Sequence, residues 1–232
     1  MSPVTDSLTG MGMAKAVWAA TAMVGVLVPG CGSDGGPEMA MPAETSSAEA
    51  VTRTEAPSEP SETIADYLQS NGITQTLVKR GDPGVPTLNL PMPAGWKDVG
   101  ADTPADAYGA IYLAEPAPAD NPPAIIARMA RLSGEVDQAK VLELAPNAVR
   151  NQPGYQGPEA GRPSRLSGFD AAEIAGTVDQ NGQTVFVARK TVVIPGKDGI
   201  YLLALDAQGS PDQEPALMDA MSVIDAETTI EP

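Results

Sequence analysis

The sequence contains no histidine and a single cysteine. Without histidine it lacks the usual general base near neutral pH and the commonest metal ligand. Every Ser-His and Cys-His nucleophile pair is excluded with it. One cysteine makes neither an internal disulfide nor a cysteine-based zinc site. Basic residues are also scarce: 14 Lys and Arg stand against 30 Asp and Glu, for a net charge of -16. Such a surface repels phosphate backbones, so nucleic acid is not an expected partner. Aromatic residues make up 4% of the chain, which leaves few rings for stacking on a ligand. No stretch matches a metal site or a resident cofactor, and none is expected. Gly196-Lys197 fails the phosphate-loop pattern, because Thr191 stands where its first glycine belongs and Asp198 where Ser or Thr belongs. There is no G-x-S-x-G elbow and no S-x-x-K pair.

What is present begins with an uncharged apolar run of 13 residues, Ala16 to Val28 (AVWAATAMVGVLV). It is too short to span a bilayer, which takes about 20 residues, and fits the core of a secretory signal. Lys15 supplies the positive charge ahead of it, whereas MSPVTDSLTG carries Asp6 and no base, which points to Met11 or Met13 as the true start. The run ends in Val28-Pro29-Gly30-Cys31, which resembles a bacterial lipobox. That resemblance implies cleavage after Gly30 and a diacylglyceryl group on the Cys31 sulfur, hence a membrane partner through acylated Cys31. It also gives the lone cysteine a use.

Residues 1–30 therefore read as a lipoprotein signal peptide, and residues 31–61 as the acylated cysteine followed by an acidic tether rich in Pro, Ala, Ser and Glu. The tether has no aromatic residue and cannot bury enough apolar surface to offset its ordering entropy. Residues 62–232 are long enough for one domain.

Within that domain Ser61 is placed to cap a helix over Glu62 to Asn71, stopped by Gly72. A strand over Ile73 to Lys79 leads into a Pro/Gly-rich loop, GDPGVPTLNLPMPAGW. Strands are expected at Tyr108 to Leu113 and Pro123 to Leu132, and a helix at Gly134 to Ala145 before Pro146. Phe169 to Val178, Gln183 to Ile194 and Ile200 to Ala207 are three β-rich runs. Asp179-Gln-Asn-Gly182 joins the first two as a tight hairpin turn, a better reading than a calcium loop with most ligands missing. A closing helix over Asp212 to Ile224 carries Leu217, Met221 and Ile224 on one stripe. Antiparallel strands flanked by helices give an α+β fold.

Candidate chemistry is thin. Asp170 and Glu173 are three residues apart on a strand and so face opposite ways. Glu135 and Asp137 sit at a helix start, where they complement its dipole. Arg128/Arg131 and Arg189/Lys190 split between faces in the same way, but Arg128 and Arg189 can share one if their strands lie close, as a site for an anionic headgroup or as ion-pair partners. Trp96, which follows the Pro/Gly loop, and Tyr108 and Tyr112 are the aromatic candidates for a pocket edge, with core packing as the alternative. No residue is nominated as catalytic.

The segments GVPTLNLPMPAGW, DTPADAYGAIYL, LSGEVD with LAPNAV, KTVVIPGKDGIYLLALDA and MSVIDAETTI together resemble the mycobacterial LpqN/LpqT lipoprotein family across essentially all of 62–232. The resemblance implies a PsbP-like α/β/α sandwich with a central antiparallel sheet and a place in the cell envelope. It carries over no catalytic residue. The expectation is an exported, lipid-anchored, non-enzymatic binding or adaptor protein with envelope proteins or glycolipids as partners. The alternative is a carboxylate-dependent hydrolase of a cell-wall glycan or glycolipid, which needs two carboxylates roughly 5–9.5 Å apart in a cleft.

Overall fold

The structure is a computed structural model and describes residues 60–115 and 121–232. The expected signal segment, Cys31 and nearly all of the tether lie outside the described residues. In chain order the elements are helix α1 (Ile64–Ser70), strands β1 (Thr74–Val78), β2 (Thr87–Asn89), β3 (Trp96–Asp98), β4 (Gly109–Leu113) and β5 (Ala124–Ser133), and helices α2 (Gln138–Leu144) and α3 (Asn147–Arg150). Strands β6 (Arg162–Leu166), β7 (Phe169–Gln180), β8 (Gln183–Gly196) and β9 (Gly199–Gly209) follow, then helix α4 (Glu214–Glu227) and strand β10 (Thr229–Glu231).

Eight strands form one antiparallel sheet in the order β3-β4-β5-β9-β8-β7-β6, with β1 also paired to β5. Strands β4 and β1 divide one edge of β5, taking residues 124–127 and 129–133. The expected meander is β7-β8-β9. Its first turn is a tight hairpin because Asn181 and Gly182 adopt φ of 57° and 78° and the Asp179 carboxylate accepts the Gly182 N–H at 2.7 Å.

Alternation along the strands sends two sets of side chains to two cores. On one face Ala127, Met129, Val192, Ile194, Leu203 and Leu205 pack under the stripe Leu217, Ala220, Met221 and Ile224 of α4. On the other, Leu132 and Val193 meet α1 and α2 through Tyr67, Leu68, Val141 and Leu144, while Ile174 and Val187 meet Val149 of α3. The result is the expected α+β architecture, a helix–sheet–helix sandwich around a central antiparallel sheet.

Three expectations shift. Helix α1 starts at Ile64 because Thr63 is its cap: its hydroxyl accepts the Asp66 N–H while the Asp66 carboxylate accepts the Thr63 N–H at 2.8 Å. Ser61 instead exchanges hydrogen bonds with the Asn151 side chain. Helix α2 starts at Gln138, where Asp137 caps it, and Pro146 begins the separate turn α3. The Pro/Gly loop contains β2, which pairs with β10 in a two-stranded ribbon on the α4 face.

Candidate functional site

Between β1 and β3 the chain leaves the sheet at Lys79 and returns at Trp96, and the excursion encloses two adjoining clefts. One, of about 410 Å³, is polar and lined by Arg80, Asp82, Thr87, Asn89 and Tyr108. The other, of about 100 Å³, is mainly apolar and lined by Leu90, Met92, Ile111, Ile125 and Ile224. Arg80 and Leu90 belong to both walls.

Arg80 sits at the junction for identifiable reasons. Its guanidinium lies 5.8 Å from the Tyr108 ring centroid, within cation–π range. Gly109 leaves room for it, since a Cβ there would come within 2.7 Å of an Arg80 terminal nitrogen. Asp98 is 3.9 Å away, a loose ion pair with both partners well exposed. Asp98 also accepts the Gly100 N–H at 2.6 Å, and Asp82 accepts the Lys79 N–H at 2.8 Å, so both carboxylates hold local backbone. Met92 is 50% exposed at the lip of the apolar cleft, one of three large hydrophobic side chains left open among the described residues.

The residues nominated from sequence fall in four places. Tyr108 borders the polar cleft but is buried in the core on the α4 face, at 7% exposure. Trp96 is in the core on the α4 face, at 6% exposure. Tyr112 is half-buried on β4, opposite Lys97 and Ala124 in the register. Arg128 and Arg189 do share a face, on the strands flanking β9, and both grip Asp206 between them; Arg128 binds it at 2.9 Å. Asp106 accepts a second bond from Arg128 at 2.7 Å. The Arg128 guanidinium holds the Asp106 carboxyl below its usual range, against a smaller upward push from burial. Two cations and two carboxylates thus neutralise one another, which satisfies the arginines locally.

Lys190 points to the other face. It is 1% exposed, and its Nζ donates to Asp225 of α4 at 2.6 Å and lies 3.1 Å from Glu173 of β7. Glu173 also accepts from Arg162, while Asp170 pairs with Arg165, so the two β7 carboxylates diverge. Burial pushes Glu173 up, but hydrogen bonds from Lys190 and Arg162 outweigh it and the carboxyl is held below its ordinary value. Arg80, Leu90, Met92, Ile111 and Ile125 went unnoticed in the sequence. The Pro/Gly-rich punctuation of residues 81–96 was a cue to Leu90 and Met92, while Ile111 and Ile125 fell on expected strands with nothing to single them out.

The family model described as "Probable lipoprotein LpqN" matches residues 60–231. Lipoprotein LpqN of Mycobacterium tuberculosis is 43% identical over 173 residues, 75% of this chain and 75% of its own. The crystal structure of that organism's LpqN, described as involved in cell envelope biogenesis, matches with a TM-score of 0.70 at 43% identity, covering 75% of this chain and 99% of that one. A solution structure of cyanobacterial PsbP from Synechocystis matches at a TM-score of 0.42 and 8% identity, over 67% of this chain and 92% of that one. On the extent and identity of the first two matches, the chain belongs to the LpqN lipoprotein family.

Proposed function

We propose that this protein is a lipid-anchored, non-enzymatic binding protein of the cell envelope, and that its domain holds a glycolipid-type amphiphile. The observation that carries the reading is the meeting of the two clefts at Arg80 and Leu90. The polar side offers the Asn89 amide, the Thr87 hydroxyl and the Arg80 guanidinium seated over the buried Tyr108 ring, groups that together hydrogen-bond a polyol. The apolar side offers Met92, Ile111 and Ile125 to an acyl chain. Apolar walls with a few placed polar groups are the usual make-up of small-molecule sites. The commitment of Asp82 and Asp98 to local backbone argues for binding over hydrolysis.

In this reading the acylated Cys31 supplies the anchor. Two acyl chains, at about 0.8 kcal/mol per buried CH₂, anchor stably where one does so marginally. The acidic tether of residues 32–61 then lets the domain sample the space beside the membrane and pass ligand to envelope proteins. No helix among the described residues is long and apolar enough to cross a membrane.

The test is native mass spectrometry of the protein after incubation with a total envelope lipid extract. The expected result is a retained adduct of defined mass that Arg80→Gln weakens. A bare protein beside an unchanged lipid pool refutes the amphiphile reading and leaves the protein-adaptor role, which whole-cell crosslinking then examines.

A further inference from the structure

The apolar cleft is too small for the ligand class it faces. Its volume is about 100 Å³, whereas small-molecule sites occupy about 300–1,000 Å³. A long acyl chain enters only if a wall moves. The wall that can move is identifiable from how it is fastened.

Leu90 and Met92 continue directly from β2, and β2 is tied down by β10 alone through three residue pairs. The ribbon's other fastenings are few. The Ile230 N–H donates to Ser167 Oγ at 2.9 Å, Asn89 donates to Thr229 Oγ1 at 3.2 Å, and Leu88 and Ile230 are its two buried side chains. Gly81 and Gly84 precede β2 at φ of 89° and 72°, and the Tyr201 hydroxyl donates to the Gly84 carbonyl at 3.3 Å; Gly95 follows at φ of 82°, its carbonyl fixed by the Ala114 and Glu115 N–H groups. The chain can therefore swing at Gly81 once the single Tyr201 bond to Gly84 is released, with Gly95 as its fixed end. At the other joint, between α4 and β10, Thr228 Oγ1 is buried with no hydrogen-bond partner among the described residues. An unsatisfied buried hydroxyl penalises the closed state and is relieved when the joint opens to water.

We propose that β2, held down by β10, is a strap over the apolar cleft, and that an acyl chain enters when β2 parts from β10 and lifts. The proposal deepens the amphiphile reading and rests on it for the ligand. Closed and open states are then in equilibrium, and the apparent affinity scales with the fraction open.

The test uses the full chain carrying Cys31→Ser with Asn89→Cys and Thr229→Cys, whose side chains already touch across the ribbon. Cys31 is the chain's one native cysteine, so the new pair is the only one present. The probe is dodecyl maltoside held below its micellar concentration. Oxidation is expected to weaken binding about tenfold or more, and reduction to restore it. Equal binding by the oxidised and reduced forms overturns the strap. Hydrogen exchange on the protein without these two substitutions judges the strap independently of any ligand. The amides of Asn89 and Thr229, which face each other across the ribbon, are expected to exchange about 100-fold faster than those of Val192 and Leu203 in the sheet centre. Equally slow exchange refutes the strap. Fast exchange without probe binding by the protein that retains Asn89 and Thr229 refutes the amphiphile reading while leaving the strap standing.

Discussion

Removing the Lys190 ammonium tests what fastens α4 to the sheet. Lys190 is 1% exposed, and its Nζ contacts Asp225 at 2.6 Å and Glu173 at 3.1 Å. Lys190→Met keeps most of the apolar stem but leaves two carboxylates without their shared cation. Losing one partner of a buried ion pair costs about 3–5 kcal/mol. The Asp225 side chain is 37% exposed, so water offsets part of that, and about 3 kcal/mol is expected. For a domain of this size that lowers the melting midpoint by roughly 6–12 °C. Trp96 is buried and is the only tryptophan of residues 62–232, so its fluorescence reports unfolding in urea without a label.

Two controls separate charge from packing. Lys190→Met/Glu173→Leu/Asp225→Leu is expected to return to within about 1 kcal/mol of the parent, because apolar replacement of a whole buried ion pair is often neutral or better. The pH dependence has a defined sign. Glu173 is held below its ordinary value, so its contribution is fully present above the unfolded value of about 4.3 and is lost as pH falls through the lower folded value. In Lys190→Met the Glu173 carboxyl has lost one of the two cations that lower it, so the Glu173 part of the deficit measured at pH 7 narrows as pH falls below about 4.3. A single-variant cost under about 1 kcal/mol refutes the charge argument. So does a triple variant as unstable as the single one, which assigns the loss to a cavity.

Thr228→Val removes a buried hydroxyl that has no partner, and is expected to raise stability by about 1 kcal/mol in a urea titration. Gly109→Ala pushes a methyl group against the far end of the Arg80 side chain; the melting midpoint should stay within about 2 °C of the parent while amphiphile binding weakens. Arg80→Gln removes the cation over Tyr108 from an exposed site and should leave the urea midpoint unchanged within about 0.5 kcal/mol, with the loss confined to binding. Cys31→Ser abolishes the proposed anchor, so in detergent phase partitioning of the exported protein the signal moves from the detergent to the aqueous phase.

Much of the fold was legible where the chain signals over a few residues. Asn181-Gly182 fixed the β7-β8 turn because both residues accept positive φ, and the Leu217/Met221/Ile224 stripe marked the buried side of α4. The Ser167-Gly168 turn between β6 and β7, with φ of 51° and 84°, had a similar two-residue signal that went unread because the short exposed strand β6 precedes it. Strands β2 and β10 are three residues each, too short for alternation to register, and exist because they pair with each other 140 residues apart.

The sequence by itself determined the exclusions, the antiparallel meander, the helix faces and the family resemblance, since these follow from composition and short-range pattern. Only the tertiary structure decided that Arg128 and Arg189 are drawn together on Asp206, that Lys190 is buried between Glu173 and Asp225 while its neighbour Arg189 is not, and that Arg80 joins two clefts. Those placements depend on strand order and register between distant segments. The free energy that selects them comes from burying whole faces of the sheet, a quantity that no local stretch of residues carries.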